Sequence, residues 1–290
     1  MKSSLFIFAF ILSLPITFAM AAKETAPTAA PDQSLQEIAA TLRDTSDLVS
    51  LTPTQGEAFV MLFQASQSAD NYGTLLLLPD NHQHANWPGL LRYLRTNMPQ
   101  QGWATLAITL PDLALDATPV STPNPSTATV ESNPALQDYV KQSQARIERT
   151  LLYAQEQKLA GKLIVIAMGS SATALLGAMQ QGYQPSKLDG VILIDAYQPF
   201  PDPKLALNDE TAKLAEKTPI KDLFQAEHPH RQQMQQRMLQ AQNTKHYQAE
   251  PLPAAFRQLD LRFSEPELIF IQKRLRSWLE SEFIKEKPKQ

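Results

Sequence analysis

The residues most able to do chemistry sit at a break in the stretch IVIAMGSSATALLGAM (164–179), where a β-branched run gives way at Gly169-Ser170-Ser171 to small, helix-favouring residues. A serine at a strand–turn–helix junction can serve as an acyl-transfer nucleophile, provided a base takes its proton and N–H donors meet the developing oxyanion. The backbone at such a nucleophile is strained, and the turn is so tight that the residues two before and two after must be small. With Ser170 at the apex the flanks are Met168 and Ala172, and the Met is a steric fault. With Ser171 they are Gly169 and Thr173, acceptable but imperfect. With Gly169 they are Ala167 and Ser171, both small, and glycine tolerates a backbone that costs a residue with a Cβ about 1–3 kcal/mol. Gly169 fits best, and glycine carries no nucleophile. Ser170 and Ser171 would then open the helix and cap its first N–H groups, while the turn's N–H groups remain able to bind an anion or a carbonyl oxygen.

The remaining partners of a serine are incomplete. The stretch where a triad histidine belongs, PLPAAFRQLDLRF (251–263), holds none, and His246 lies at the amino end of the preceding strand. Asp195, ending VILID, and Asp222, within IKDLF, are the candidate acids. Four of the five histidines form two pairs, His82-x-His84 and His228-x-His230, each just after a strand. His228 or His230 can act as a displaced base with Asp195, and His82 and His84 are candidate binding residues. A four-histidine metal site would need both H-x-H pairs, but their strands should be separated by others. No metal or other cofactor is therefore assigned. The loop PDNHQHANWP (79–88) lacks the glycine that a close approach to a tetrahedral intermediate favours, which makes a second oxyanion donor hard to arrange. Trp87 reads as a packing residue at a helix start.

These residues need a scaffold. The sequence predicts strands at 57–63, 73–79, 102–111, 162–167, 188–196, 218–225 and 245–253, the last edge-like. Helices are expected at 87–98, 135–158, 171–181, near 204–216, at 231–243 (a polar, solvated face) and at 265–284. Alternating strands and helices imply an α/β fold, a mostly parallel sheet of about eight strands with helices on both faces. Ligands in such sheets bind beyond the carboxyl ends of the strands. Residues 111–134 contain five Pro and seven Ser or Thr and read as a disordered surface insertion.

The amino terminus, MKSSLFIFAFILSLPITFAMA, has one Lys, an apolar run and an A-x-A site, and reads as a signal peptide cleaved after about Ala21. Residues 22–45 are then linker and N-terminal segment, and 46–284 the folded domain. No later apolar stretch is long enough to span a membrane, and a pI near 6.0 without a basic cluster argues against a nucleic-acid partner. The chain has no cysteine, which removes disulfides, thiolate chemistry and lipid attachment at the cleavage site.

Three stretches occur together: GTLLLLPDNHQHANWPGLLRYLR, GWATLAITLP and IVIAMGSSATALL. With the exported amino terminus and a closing RLRSWL, they resemble an exported Gram-negative bacterial family of unknown function with an α/β-hydrolase-like fold. The resemblance covers roughly residues 45–282 and implies an α/β-hydrolase-like fold and a periplasmic location, with no established activity. In that family the elbow often lacks serine at its apex, as the Gly169 register does here. The expectation is a degenerate hydrolase site used for binding a small molecule, lipid or peptide, or for assembly. The alternative is a divergent serine esterase or amidase using Ser171 or Ser170.

Overall fold

The computed structural model describes residues 46–113, 134–159, 161–180, 188–200, 205–253 and 264–285. The segments read from sequence as signal peptide and linker, residues 114–133 of the Pro-rich stretch and residues 254–263 lie outside them.

Eight strands form one sheet: β1 (Asp47–Leu51), β2 (Phe59–Gln64), β3 (Gly73–Leu78), β4 (Trp103–Ile108), β5 (Lys162–Met168), β6 (Gly190–Ile194), β7 (Ile220–Gln225) and β8 (Tyr247–Leu252). Their spatial order is β1-β2-β4-β3-β5-β6-β7-β8. Only β2 runs against its neighbours; from β4 to β8 every pairing is parallel. The sequence reading did not include β1. Its segment DLVSL is half polar and sits at the sheet edge, with Leu48 exposed, so only Leu51 carries the burial signal that marks the central strands.

The helices are α1 (Leu90–Asn97), α2 (Pro134–Glu156), α3 (Ser171–Gln180), α4 (Leu207–Leu214), α5 (Arg231–Ala241) and α6 (Glu265–Leu279). A 3₁₀ turn over Met98–Gln101 ends at Gly102, whose φ of +88° redirects the chain into β4. A π turn over Glu280–Ile284 ends the last helix, which was expected to run unbroken to 284. Alternation along the strands divides the core. Leu76, Leu78, Leu106, Val165, Ala167, Val191 and Leu193 face α2, α3 and α4. Leu75, Leu77, Ile164, Ile166, Ile192 and Ile194 face α1 and α6. Burial on both faces explains why the central strands read as unbroken apolar runs.

Two expectations need correction. Leu113, inside the stretch read as a surface insertion, is buried in the core. The Asn81 side chain clamps it, accepting the Leu113 N–H at 2.8 Å and donating to its carbonyl at 3.0 Å. Residues 114–133 lie outside the described residues. Helix α5 is not simply a polar, solvated face, because its inner stripe buries Met234, Arg237 and Ala241.

Candidate functional site

The turn between β5 and α3 holds Gly169 at φ +58°, a left-handed backbone that a side chain makes costly. Its N–H donates to the Ile194 carbonyl at 2.9 Å, and its own carbonyl accepts the Tyr197 N–H at 3.2 Å, which ties the turn to the end of β6. The two serines that follow are fully buried. The Ser171 hydroxyl lies 2.7 Å from the Met168 carbonyl and 3.1 Å from that of Leu78. The Ser170 hydroxyl donates to Asp80 Oδ1 at 2.8 Å. Both hydroxyls thus turn back toward the strand ends, and the first turn of α3 is closed by the Ser170 carbonyl, which accepts the Thr173 N–H at 2.9 Å.

Asp80 is the residue around which the site is arranged, and the sequence reading passed over it. It follows Pro79 at the carboxyl end of β3 and leans across to the neighbouring strand's turn. A Cβ built on Gly169 would overlap the Asp80 carboxyl group. Asp80 Oδ1 accepts the Ser170 N–H at 2.8 Å and the Asn81 N–H at 2.7 Å. One donor follows the turn's apex and the other lies in the loop after β3, the two places that supply an oxyanion hole in a working hydrolase. A second donor, expected to be hard to arrange without glycine, is thus in place: the two N–H groups converge on one oxygen. That oxygen belongs to the protein's own side chain.

Tyr197, three residues past β6, completes the constellation. Its hydroxyl is 3.4 Å from each Asp80 carboxylate oxygen. Its ring stacks on His230, with centroids 4.1 Å apart and planes within 7°. His228 lies tilted against both, at 5.8 Å from Tyr197 and 5.6 Å from His230. Reciprocal amide bonds between Gln198 and Gln233 hold the Tyr197 loop to α5. Burial pushes the Tyr197 phenol well above its ordinary range, and the Asp80 charge pushes it further. Burial pulls both imidazoles down, against an opposing pull from Asp80. Tyr139 of α2 is buried within reach of Ser170, and burial lifts its phenol too.

The two candidate acids have other occupations. Asp195 stands at φ +48° at the end of β6. Its carboxylate accepts the Gln225 N–H at 2.7 Å and the Gln225 side-chain amide at 2.8 Å, tying β6 to β7. Desolvation raises its carboxyl from 3.8 to about 6, against the lowering effect of those two bonds. Asp222 is fully buried and paired with Arg237 through bonds of 2.7 and 3.0 Å, and it also accepts the Tyr247 hydroxyl at 2.6 Å. Among the described residues neither acid hydrogen-bonds a histidine. The carboxylate whose charge acts on His228 and His230 is Asp80.

The other histidine pair is used differently. His82, exposed and at φ +60°, meets Asp112 at 3.2 Å. His84 is buried, accepts the Asn86 N–H through Nδ1 at 3.1 Å and packs edge-on against Trp87. Burial lowers its pKa. The four imidazoles are not brought together, and among the described residues no group of three or more His, Asp or Glu is placed to hold a metal ion. A cavity of about 330 Å³ lies elsewhere, between the β1–β2 loop and α2, lined by Pro53, Gln55, Gly56, Glu57, Gln142 and Arg146.

A signal for Asp80 and Tyr197 was present in the sequence: both are polar residues just past the carboxyl ends of buried strands, where such sheets bind ligands. What the sequence lacks is any mark that an aspartate on one strand reaches over a glycine on the next.

Comparison with known proteins agrees with this architecture. The model of a family described as "Protein of unknown function (DUF3530)" matches residues 3–280. A search of curated proteins finds no match. Among solved structures, Est1E from Butyrivibrio proteoclasticus superposes with a TM-score of 0.58 at 9% identity, covering 82% of this chain and 99% of that one. The esterase domain of a Rhodothermus marinus protein gives 0.52 at 10% identity, covering 82% and 99%. A soluble variant of the monoglyceride lipase of Saccharomyces cerevisiae gives 0.54 at 9%, covering 84% and 99%. At these identities the likeness is one of fold, and the fold is that of the α/β-hydrolases.

Proposed function

The chain belongs to the DUF3530 family of unknown function, and we propose that it is an exported, periplasmic member whose hydrolase site is degenerate and serves binding or assembly rather than catalysis. The observation that carries this reading is the Asp80 carboxylate. It fills the space above Gly169 from which a nucleophile would project, and it takes both N–H donors that would meet a substrate carbonyl oxygen. A carbonyl substrate approaching this turn meets an anion where catalysis needs a positive lining. Ser171 is spent on backbone carbonyls, and no histidine follows β8 in the sequence to receive a serine proton. Export is supported by the amino-terminal apolar run with its A-x-A site.

A second reading has one observation in its favour. The Ser170 hydroxyl donates to a carboxylate at 2.8 Å, an arrangement in which Asp80 would draw off the proton of a divergent esterase or amidase nucleophile. Labelling of the purified protein with a broad fluorophosphonate probe, beside Ser170→Ala and Ser171→Ala, separates the two. No labelling of the folded protein is expected. Labelling abolished by one of the substitutions would identify the nucleophile and overturn the non-catalytic reading.

A further inference from the structure

We infer that the floor of this cleft is a recognition site for a small cationic hydrogen-bond donor, an alkylammonium group, seated on Asp80 Oδ2 against the stacked rings of Tyr197 and His230. The inference rests on the binding reading above and gives it a ligand class.

The two oxygens of Asp80 are treated unequally. Oδ1 takes three donors at 2.7–2.8 Å: the Asn81 N–H, the Ser170 N–H and the Ser170 hydroxyl. Among the described residues Oδ2 has only the Tyr197 hydroxyl, at 3.4 Å and shared with Oδ1. A carboxylate oxygen accepts about two hydrogen bonds, so Oδ2 keeps acceptor capacity on the side where Tyr197 stands. Asp80, Tyr197, His228 and His230 are each partly exposed, whereas Ser170 behind them is fully buried. The acceptor is thus held through one oxygen and keeps capacity on the other.

The wall beside it is aromatic. Tyr197 and His230 lie face to face at 4.1 Å, and His228 lies tilted beside both. A carboxylate beside aromatic rings suits a cation, which gains a charge-assisted hydrogen bond from the first and ring-quadrupole attraction from the second. Among the described residues no Lys or Arg is paired with Asp80. The buried guanidinium nearby, Arg237, is committed to Asp222 and the Ala196 carbonyl. The carboxylate acting on Tyr197, His228 and His230 is Asp80, and Asp80 and Asp222 both act on Asp195. Burial favours the uncharged form of both imidazoles, so near neutral pH they leave the negative charge unanswered. An anionic ligand would be repelled by Asp80, and a neutral hydroxyl would gain the hydrogen bond without the charge.

The test is a titration of the purified protein with n-butylammonium, n-butanol and butyrate, three probes of nearly one shape, followed through the His228 and His230 ring resonances near neutral pH. Butylammonium should shift both and saturate, and the other two should bind at least about tenfold more weakly. Asp80→Asn, which keeps the shape and removes the charge, and Tyr197→Leu, which keeps the charge and removes the ring, should each weaken butylammonium by about tenfold with the circular dichroism unchanged. Should either variant unfold, the comparison of three probes on the unaltered protein still decides. Butyrate or butanol binding as tightly as the amine, or histidine resonances unmoved by it, overturns the inference. Such a failure leaves the non-catalytic reading intact if the fluorophosphonate still does not label. Serine labelling in a protein that does bind the amine removes that reading and keeps the site.

Discussion

Gly169 and Asp80 are two halves of one local solution: the glycine has no side chain because the carboxyl group of another strand's loop occupies that space. Gly169→Ser should therefore suffer twice, from a Cβ at φ +58° and from overlap with Asp80. Together these should cost about 2–4 kcal/mol in urea unfolding. Adding Asp80→Gly should return part of that loss, so the double variant unfolds less easily than the sum of the singles; strict additivity would show that the two do not share the space. Asp195 carries a separate, pH-dependent expectation. Its folded-state carboxyl sits near 6, above the ordinary 3.8, so its contribution to stability is fully present below about pH 4 and is lost as pH rises through 6. The stability of the wild type relative to Asp195→Asn, which cannot titrate, should thus fall by on the order of 2 kcal/mol between pH 4 and pH 8. A difference that stays flat across this range would place the carboxyl at its ordinary value. The sequence showed the glycine's suitability for the apex because the small-flank requirement is local. It hid Asp80 because the two positions meet only after β3 and β5 pair.

At the level of elements, central strands were legible and edges were not. β3, β5 and β6 are buried on both faces, so LLLL, IVIA and VILI carry their own signal, whereas β1 announces little with one buried residue in DLVSL. Helix α5 is the instructive case. Its Gln-rich sequence has almost no apolar periodicity, yet it docks firmly because Arg237 reaches inward to Asp222, beside Met234 and Ala241. A charge pair as the anchor of a helix is invisible to a hydrophobic-pattern reading, and it also accounts for Asp222, which looked like a catalytic acid only because it is a carboxylate near a strand end. Asp222→Ala would strand the Arg237 guanidinium without its carboxylate and leave the Tyr247 hydroxyl unpaired. The expected cost is about 3–5 kcal/mol, read as a lowered urea midpoint. A loss below about 1 kcal/mol would mean that α5 is held by its apolar contacts instead.

For the molecule as a whole, the chemistry converges on one rim of the sheet. Asp80, Gly169, Asp195 and the His228–His230 loop follow β3, β5, β6 and β7, the four consecutive parallel strands of the order β3-β5-β6-β7. The parallel arrangement alone brings four loops distant in sequence to one place, which is why the site's address was readable when its contents were not. Where this rim works is a matter of export. Among the described residues no helix is long and apolar enough to cross a membrane; the amino-terminal apolar run lies outside them. If that run is a cleaved signal, expression of the full-length gene in a Gram-negative host should yield a periplasmic product whose first residue is Ala22, read by intact-mass and amino-terminal peptide analysis. An uncleaved chain retained in the membrane fraction would instead make residues 1–21 an anchor, and the cleft would then act beside a bilayer. Residues 22–34, rich in Ala, Pro and Thr, follow the run in either case, so the decision belongs to the protease and the fractionation rather than to the fold.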